Sequence, residues 1–275
     1  MLRIIKDQIR TINNRRRELR LLRKPCKMLP NGFLFSGRSQ YFATRGYEPY
    51  QTYLISKILS NVEVFVNIGA HHGYYCCLAL NKGIKTIAFE PNPMNIAMLT
   101  KHVGVNKFSK NFTLINSAVG SSKGTHEFYG GGFTGSLLKS HNHAPLQERQ
   151  LVSVVTLDET IKTKRLELLI LVDVEGFELE VLKGANKTLE KKPCWIIEVL
   201  PNHENKTKFD EVFKYMEAHH YDAWLIDEKN KKIKKFFVNT AKSILDGKYE
   251  CDGTNFLFVP SGKKNIEKII AEAKL

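Results

Sequence analysis

An α/β fold, with a mostly parallel sheet covered by helices on both faces, is what this sequence predicts. Three observations carry the prediction. Apolar, β-branched runs without alternation recur along the chain, as strands buried on both faces require. Turn signals and stretches of helical period follow them in regular succession. The residues that can do chemistry fall where those strands end, the edge at which such sheets bind ligands.

Composition is consistent with this. Of 275 residues, 43% are hydrophobic and 25% charged, which excludes wholesale disorder, collagen-like repeats and coiled coil. No apolar run approaches the roughly 18 residues of a transmembrane helix, and no apolar stretch precedes a small-residue cleavage site. A cytoplasmic protein, peripheral to a membrane at most, is expected. The five cysteines (Cys26, Cys76, Cys77, Cys194, Cys251) are an odd number without a CxxC pair, so they read as reduced thiols.

Residues 1–24 set Ile4, Ile5, Ile9, Ile12, Leu19, Leu21 and Leu22 among basic residues at a loose helical period, which Pro25 and Pro30 end. Residues 31–49, rich in Gly and aromatics, read as irregular. Tyr50–Leu59 reads as a short helix. "VEVFVNI" is the first buried strand, "GAHHG" a turn, and "YYCCLALNKG" a helix closed by Gly83. "KTIAFE" and "NPMNIAMLTKHVGVN" give the second strand and helix, with Pro93 where helices tolerate it. "FTLINSAV" is the third strand. Gly120–Gln150 breaks the rhythm with several glycines and Pro145, and connections of that length in compact domains are usually functional. "VSVVTLDET" returns as a strand ending in a turn. "LELLILVDV" is a buried strand, "EGFELEVLKGANKTL" a helix and "CWIIEVL" a strand. "KFDEVFKYMEAHH" is a polar helix, "YDAWLID" and "NFLFVP" are the last two strands, and "KNIEKIIAEAKL" is a closing amphipathic helix. The expected division is a basic helix and lead-in segment over residues 1–49 and one large domain over 50–275.

The net charge of +14 is unevenly placed. Residues 1–27 hold ten Lys or Arg against Asp7 and Glu18, so +8 of it lies on this arm. An anionic partner is expected to meet the arm, and an anionic membrane surface suits basic residues beside Ile and Leu. Nucleic acid is disfavoured, because the body lacks aromatics set in basic stripes.

Four motifs carry chemistry. In Asn67-Ile68-Gly69-Ala70-His71-His72-Gly73, the two glycines let the backbone turn sharply and approach a ligand, and the next helix opens with free N–H groups. The spacing is GxxxG, and alone it also fits a plain tight turn. Glu90 ends the next strand 21 positions beyond Gly69, where a carboxylate holds a ribose diol; it also fits a helix cap. Asn116, Ser117 and Ala118 end the third strand, where side chains can read a base edge. Asp173 and Glu175 end the buried strand "LELLILV", and burying carboxylates there is costly unless they bind something. Glu198 ends the following strand and His203 follows it. If the two strands are neighbours, Asp173 and Glu198 line one cleft. Asp173 or Glu175 could instead cap the next helix.

"VFVNIGAHHGYY", "AFEPNP", "NSAVG", "VTLDE" and above all "VDVEGFELEVLKGA" followed by "IIEV" resemble the FkbM family of S-adenosylmethionine-dependent methyltransferases. The motifs occur in family order over roughly Tyr50–Val199. The resemblance implies a class I methyltransferase fold, Rossmann-like, with a seven-stranded sheet and one antiparallel edge strand. It implies S-adenosylmethionine as methyl donor and a hydroxyl of a sugar, glycolipid or natural product as acceptor. Asn67, Gly69, Ala70, His71, Gly73, Glu90, Asn116, Ser117 and Ala118 are then the cofactor residues. Asp173, Glu175, Glu198 and His203 are the catalytic ones, with Asp173 as base or acceptor-orienting group. The clustered carboxylates could instead hold a divalent cation that acidifies the hydroxyl; the metal-free version is preferred because no close carboxylate-and-amide ligand set is evident. The family typically has Asp where Asn67 stands, and "GANxG" in place of "GAHHG". Asn67 offers hydrogen bonds but no charge to the cofactor's ammonium. His71 and His72 read as loop side chains, since neighbours on a turn rarely point the same way. Two rivals remain open: a nucleic-acid or membrane-surface binding protein acting through the arm, and a cofactor-binding chain without turnover.

Overall fold

The computed structural model describes residues 16, 19–37, 47–130, 135–138, 149–162, 167–200, 206–239 and 254–273. Most of the basic arm, together with His203 and Cys251, lies outside the described residues. An antiparallel pair, β1 (Lys27–Met28) and β2 (Leu34–Phe35), precedes α1 (Pro49–Leu59). Strand and helix then alternate through β3 (Val64–Ile68), α2 (Tyr74–Asn81), β4 (Lys85–Phe89), α3 (Pro93–Val105) and β5 (Phe112–Ile115). A side sheet follows, made of β6 (Ala118–Val119), β7 (Gly124–Tyr129) and β8 (Arg149–Val155) in the order β6-β8-β7. The chain continues through α4 (Leu157–Thr160), β9 (Leu168–Val172), α5 (Glu178–Lys183), α6 (Asn186–Glu190), β10 (Cys194–Glu198), α7 (Lys206–Ala218), β11 (Tyr221–Asp227), β12 (Lys232–Phe236), β13 (Asn255–Pro260) and α8 (Lys264–Glu272).

The main sheet runs β12-β11-β13-β10-β9-β3-β4-β5. From β10 through β9, β3 and β4 to β5 all neighbours are parallel. β13 runs antiparallel to both β10 and β11, and β12 antiparallel to β11. The described sheet thus has eight strands where seven were expected, and besides the antiparallel edge strand β12 it has a second antiparallel strand, β13, in its interior. Sequence explains both differences. Phe256, Leu257, Phe258 and Val259 of β13 are all buried, so an edge would leave them half-covered. β12 reads KIKKF with exposed lysines, which suits an edge that must not recruit another strand.

Two further readings are refined. "FTLINSAV" is split at Asn116-Ser117 between β5 and β6, which belong to different sheets. "EGFELEVLKGANKTL" is split into α5 and α6. A Cβ on Gly184 would lie 2.0 Å from the Gly120 carbonyl oxygen, so the backbones meet there.

One face of the sheet is covered by α5 and α7, through Leu179, Leu182, Phe213 and Met216. The other is covered by α1, α2 and α8. Tyr74 through Leu80 of α2 are all buried. A helix with no polar face needs cover on its outer side as well. Leu29, Phe33 and Phe35 of the lead-in segment supply it, sharing one core with Leu54, Ile55 and Leu78. Each such burial contributes about 1.5–3 kcal/mol.

Candidate active site

Strand register sets the site. Ile68 pairs with both Phe89 and Val172, Phe89 with Ile115, and Val172 with Ile197. One position further on, Asn116, Glu90, Gly69, Asp173 and Glu198 therefore stand in a row across five adjacent strands. β9 and β10 are neighbours, as the shared cleft of Asp173 and Glu198 requires.

A cavity of about 300 Å³ opens above this row. Asn67, Gly69, Ala70, His71, Glu90, Ser117, Ala118, Asp173 and Glu175 line it. Asn116, Gly73 and Glu198 do not. Asn116 is exposed, because the chain turns out of β5 there. Gly73 works from behind: with φ at +82°, its missing Cβ would sit 2.1 Å from Leu99 Cδ1 on α3. Gly69 also has φ near +82°, and a Cβ there would lie 1.8 Å from the Asp173 carbonyl oxygen. The glycine loop and the acidic turn are thus in backbone contact.

Glu90 is 3% exposed. Its Oε2 accepts the His71 N–H at 2.7 Å, and its Oε1 accepts the Asn92 N–H at 2.9 Å and the Asn95 amide at 3.2 Å. Burial pushes its pKa up, and these three donors pull against that. The helix-cap alternative is realised only in part, since Asn92 caps α3 by accepting the Met94 N–H. The His71 and His72 rings stack, 3.9 Å between centroids and 16° between planes. That corrects the expectation that turn neighbours point apart. Among the described residues, no group of three or more His, Cys, Asp or Glu is arranged to hold a metal ion.

Asn67 is 2% exposed; its Nδ2 donates to Cys76 Sγ at 3.4 Å, and its Oδ1 is buried without a hydrogen-bond partner. A buried carbonyl oxygen left open at a cavity wall is costly unless a ligand donor meets it. The donor set fits S-adenosylmethionine: an acceptor for its ammonium, a close backbone loop, and a carboxylate at the strand tip where a ribose binds.

Asp173 is exposed to the cavity while protein surrounds its other sides. Its pKa is raised well above the carboxylate range, first by desolvation and then by Glu198, Glu175 and Glu48. Glu198, at the end of the adjacent strand, is close enough to Asp173 to raise its affinity for a proton. Glu198 also accepts from Thr254 Oγ1 at 3.1 Å. Burial and then Glu198 raise Glu175, which sits at φ 55°. Neither Asp173 nor Glu175 caps α5, whose N-terminus has no side-chain cap.

Sequence reasoning missed Glu48, a carboxyl close enough to Glu198 and Asp173 to raise both Asp173 and itself, and held by the Tyr75 hydroxyl. It also missed the cavity's aromatic wall of Tyr47, Tyr74, Tyr75, Phe128 and Phe177. Phe128 stands on β7, inside the region that broke the α/β rhythm.

A doubly covered, mostly parallel sheet with a glycine loop, a strand-end acid and an acidic turn at its carboxyl edge defines a Rossmann-like class I methyltransferase. The chain belongs to the FkbM family: residues 67–223 match the Methyltransferase FkbM domain model. The matched region is a methyltransferase domain by that description. Among solved structures, it is similar to Methyltransferase FkbM from Methylobacillus flagellatus KT, at 18% identity and TM-score 0.46, over 72% of this chain and 44% of that one. The chain thus spans less than half the length of that relative. It is also similar to precorrin-6y C5,15-methyltransferase from Geobacter metallireducens, at 13% identity and TM-score 0.43, over 85% and 98% of the two chains. A third likeness is to the Pyrococcus abyssi tRNA (uracil-54, C5)-methyltransferase in complex with S-adenosyl-L-homocysteine. It has 12% identity and TM-score 0.42, over 85% and 43%. No curated protein matches the chain.

Proposed function

We propose that the protein is an O-methyltransferase acting on a hydroxyl of a sugar, glycolipid or natural product. The observation that supports this most is the Asp173–Glu198 carboxyl pair, of which Asp173 opens into the cavity beside the glycine loop. Asn67, Gly69, Ala70, His71, Glu90, Ser117 and Ala118 would hold the donor, with Asn67 Oδ1 accepting from its ammonium. S-adenosylmethionine bound there supplies a methyl group activated by a sulfonium. A neutral hydroxyl must lose its proton as it becomes an ether oxygen, and a carboxylate with a raised pKa is suited to take it. Asp173 accepts that proton, and Glu198 and Glu175 hold its affinity for protons high. His203, just beyond Glu198, is the second candidate for the same role.

Labelled methyl transfer to a panel of hydroxyl-bearing saccharides tests the reading. The expected product is a labelled methyl ether. Asp173→Asn should lower turnover at least about a hundredfold while leaving S-adenosylhomocysteine affinity unchanged. Near-wild-type turnover in Asp173→Asn, Glu198→Gln and His203→Ala alike would overturn it.

The basic arm gives the enzyme a second contact, in which residues 1–27 dock on anionic headgroups at a cytoplasmic membrane face. Among the described residues, no helix is long and apolar enough to cross a membrane. Sedimentation with anionic liposomes should fall in R15E/R16E/R17E; equal sedimentation rejects docking.

A further inference from the structure

The lead-in segment grips the glycine loop on both sides of Gly73. At His72, the backbone carbonyl lies 2.7 Å from His102 Nδ1. The other ring nitrogen of His102, Nε2, accepts the Ser36 N–H at 3.0 Å, and the ring stacks on Phe35 at 3.9 Å. A nitrogen that accepts an amide N–H carries no proton, so Nδ1 carries it and donates to His72. At Tyr74, the hydroxyl donates to Asn31 Oδ1 at 3.1 Å, and the ring meets Phe35 edge-on at 5.9 Å.

Helix α3 is fastened to the same segment. The Asn106 amide brackets Leu34, accepting from its nitrogen and donating to its oxygen, both at 2.7 Å. Lys101 Nζ donates to the Leu22 carbonyl at 2.9 Å. His102 itself is 0% exposed and does not line the cavity. Each of its nitrogens is committed to the backbone of a different segment, and one of those segments is the loop that bears His71.

We propose that His102 is a positioning residue for the methyl donor. It holds the His72 carbonyl against the Phe35–Ser36 backbone and so fixes the loop Asn67–Gly73 in its binding shape. The His71 N–H that Glu90 holds is one residue away, so a shift at His72 displaces that contact too. This inference rests on the reading of the cavity as the S-adenosylmethionine site.

Two substitutions in the full chain separate the two bonds. Gln places its amide near the Nε2 position and Asn near the Nδ1 position. His102→Gln keeps an acceptor for Ser36 and loses the donor to His72; His102→Asn does the reverse. Both lose the stack on Phe35 and should melt at similarly lowered temperatures. By calorimetry with S-adenosylhomocysteine, His102→Gln should bind at least about tenfold more weakly than wild type and His102→Asn within about threefold. Equal affinities in the two variants overturn the proposal. If neither variant stays folded, hydrogen exchange of the Ser36 amide in the wild-type protein decides. Coupling is reciprocal, so saturating S-adenosylhomocysteine should slow that exchange; an unchanged rate overturns the proposal. A wild-type protein that binds no S-adenosylhomocysteine removes the cofactor reading itself, an outcome distinct from equal affinities on a protein that binds.

Discussion

Glu90 Oε2 accepts the His71 backbone N–H at 2.7 Å, across nineteen positions of sequence. The acid predicted to hold a ribose thus also shapes the loop it faces. Glu90→Gln would set an amide N–H₂ against one of these donors. We predict a loss of about 1–3 kcal/mol, the cost of a buried donor left unpaired. A thermal unfolding midpoint equal to wild type would contradict this.

The two positive-φ glycines Gly69 and Gly83 give a paired test. Gly83 has φ near +78° with nothing within 4 Å of an added Cβ, whereas at Gly69 that atom would meet the Asp173 carbonyl. Gly83→Ala should cost about 1–2 kcal/mol from the left-handed backbone alone. Gly69→Ala should cost clearly more, because strain and steric clash act together. Urea unfolding compares them, and equal midpoints would show that the loop and the acidic turn can move apart.

Much of this was legible in the chain. β3, β9 and β10 are mainly apolar and buried almost throughout, and β4 becomes apolar and buried towards its end; a parallel register then aligns Gly69, Glu90, Asp173 and Glu198. What was not legible depends on contacts between distant residues. The interior place of β13 reflects how it pairs, which its own apolar run does not encode. β12 is masked by the lysines that protect an edge. Glu48 and His102 act through partners 27 and 30 or more positions away. One signal was available: α2 has no polar face, so a further segment had to cover it.

Asp173 is raised first by burial and then by Glu198. A base works deprotonated, so turnover should fall as pH drops through a limb lying above the ordinary carboxylate range. Glu198→Gln removes a like charge and should move that limb to lower pH. A limb unmoved in pH–rate profiles of the two proteins would argue that another group titrates.

His102 is lowered to about 4, chiefly by burial. The unfolded chain, with an imidazole near 6.5, binds more protons between those values. The stabilisation is therefore complete above about pH 6.5 and is lost as pH falls towards 4, by up to ~3 kcal/mol. Ring resonances of His102 in the folded protein should not titrate above about pH 5. A midpoint near 6.5 would contradict the assigned burial and tautomer.

Titration calorimetry with S-adenosylhomocysteine on wild type and Glu90→Ala tests the central claim, that the cavity above this row of strand ends is the methyl-donor site. Wild type should bind one molecule, and Glu90→Ala should bind it about 1.5–3 kcal/mol more weakly, the range for hydrogen bonds to a charged group. A wild-type protein that binds none, or a folded Glu90→Ala protein that binds as tightly as wild type, would contradict it.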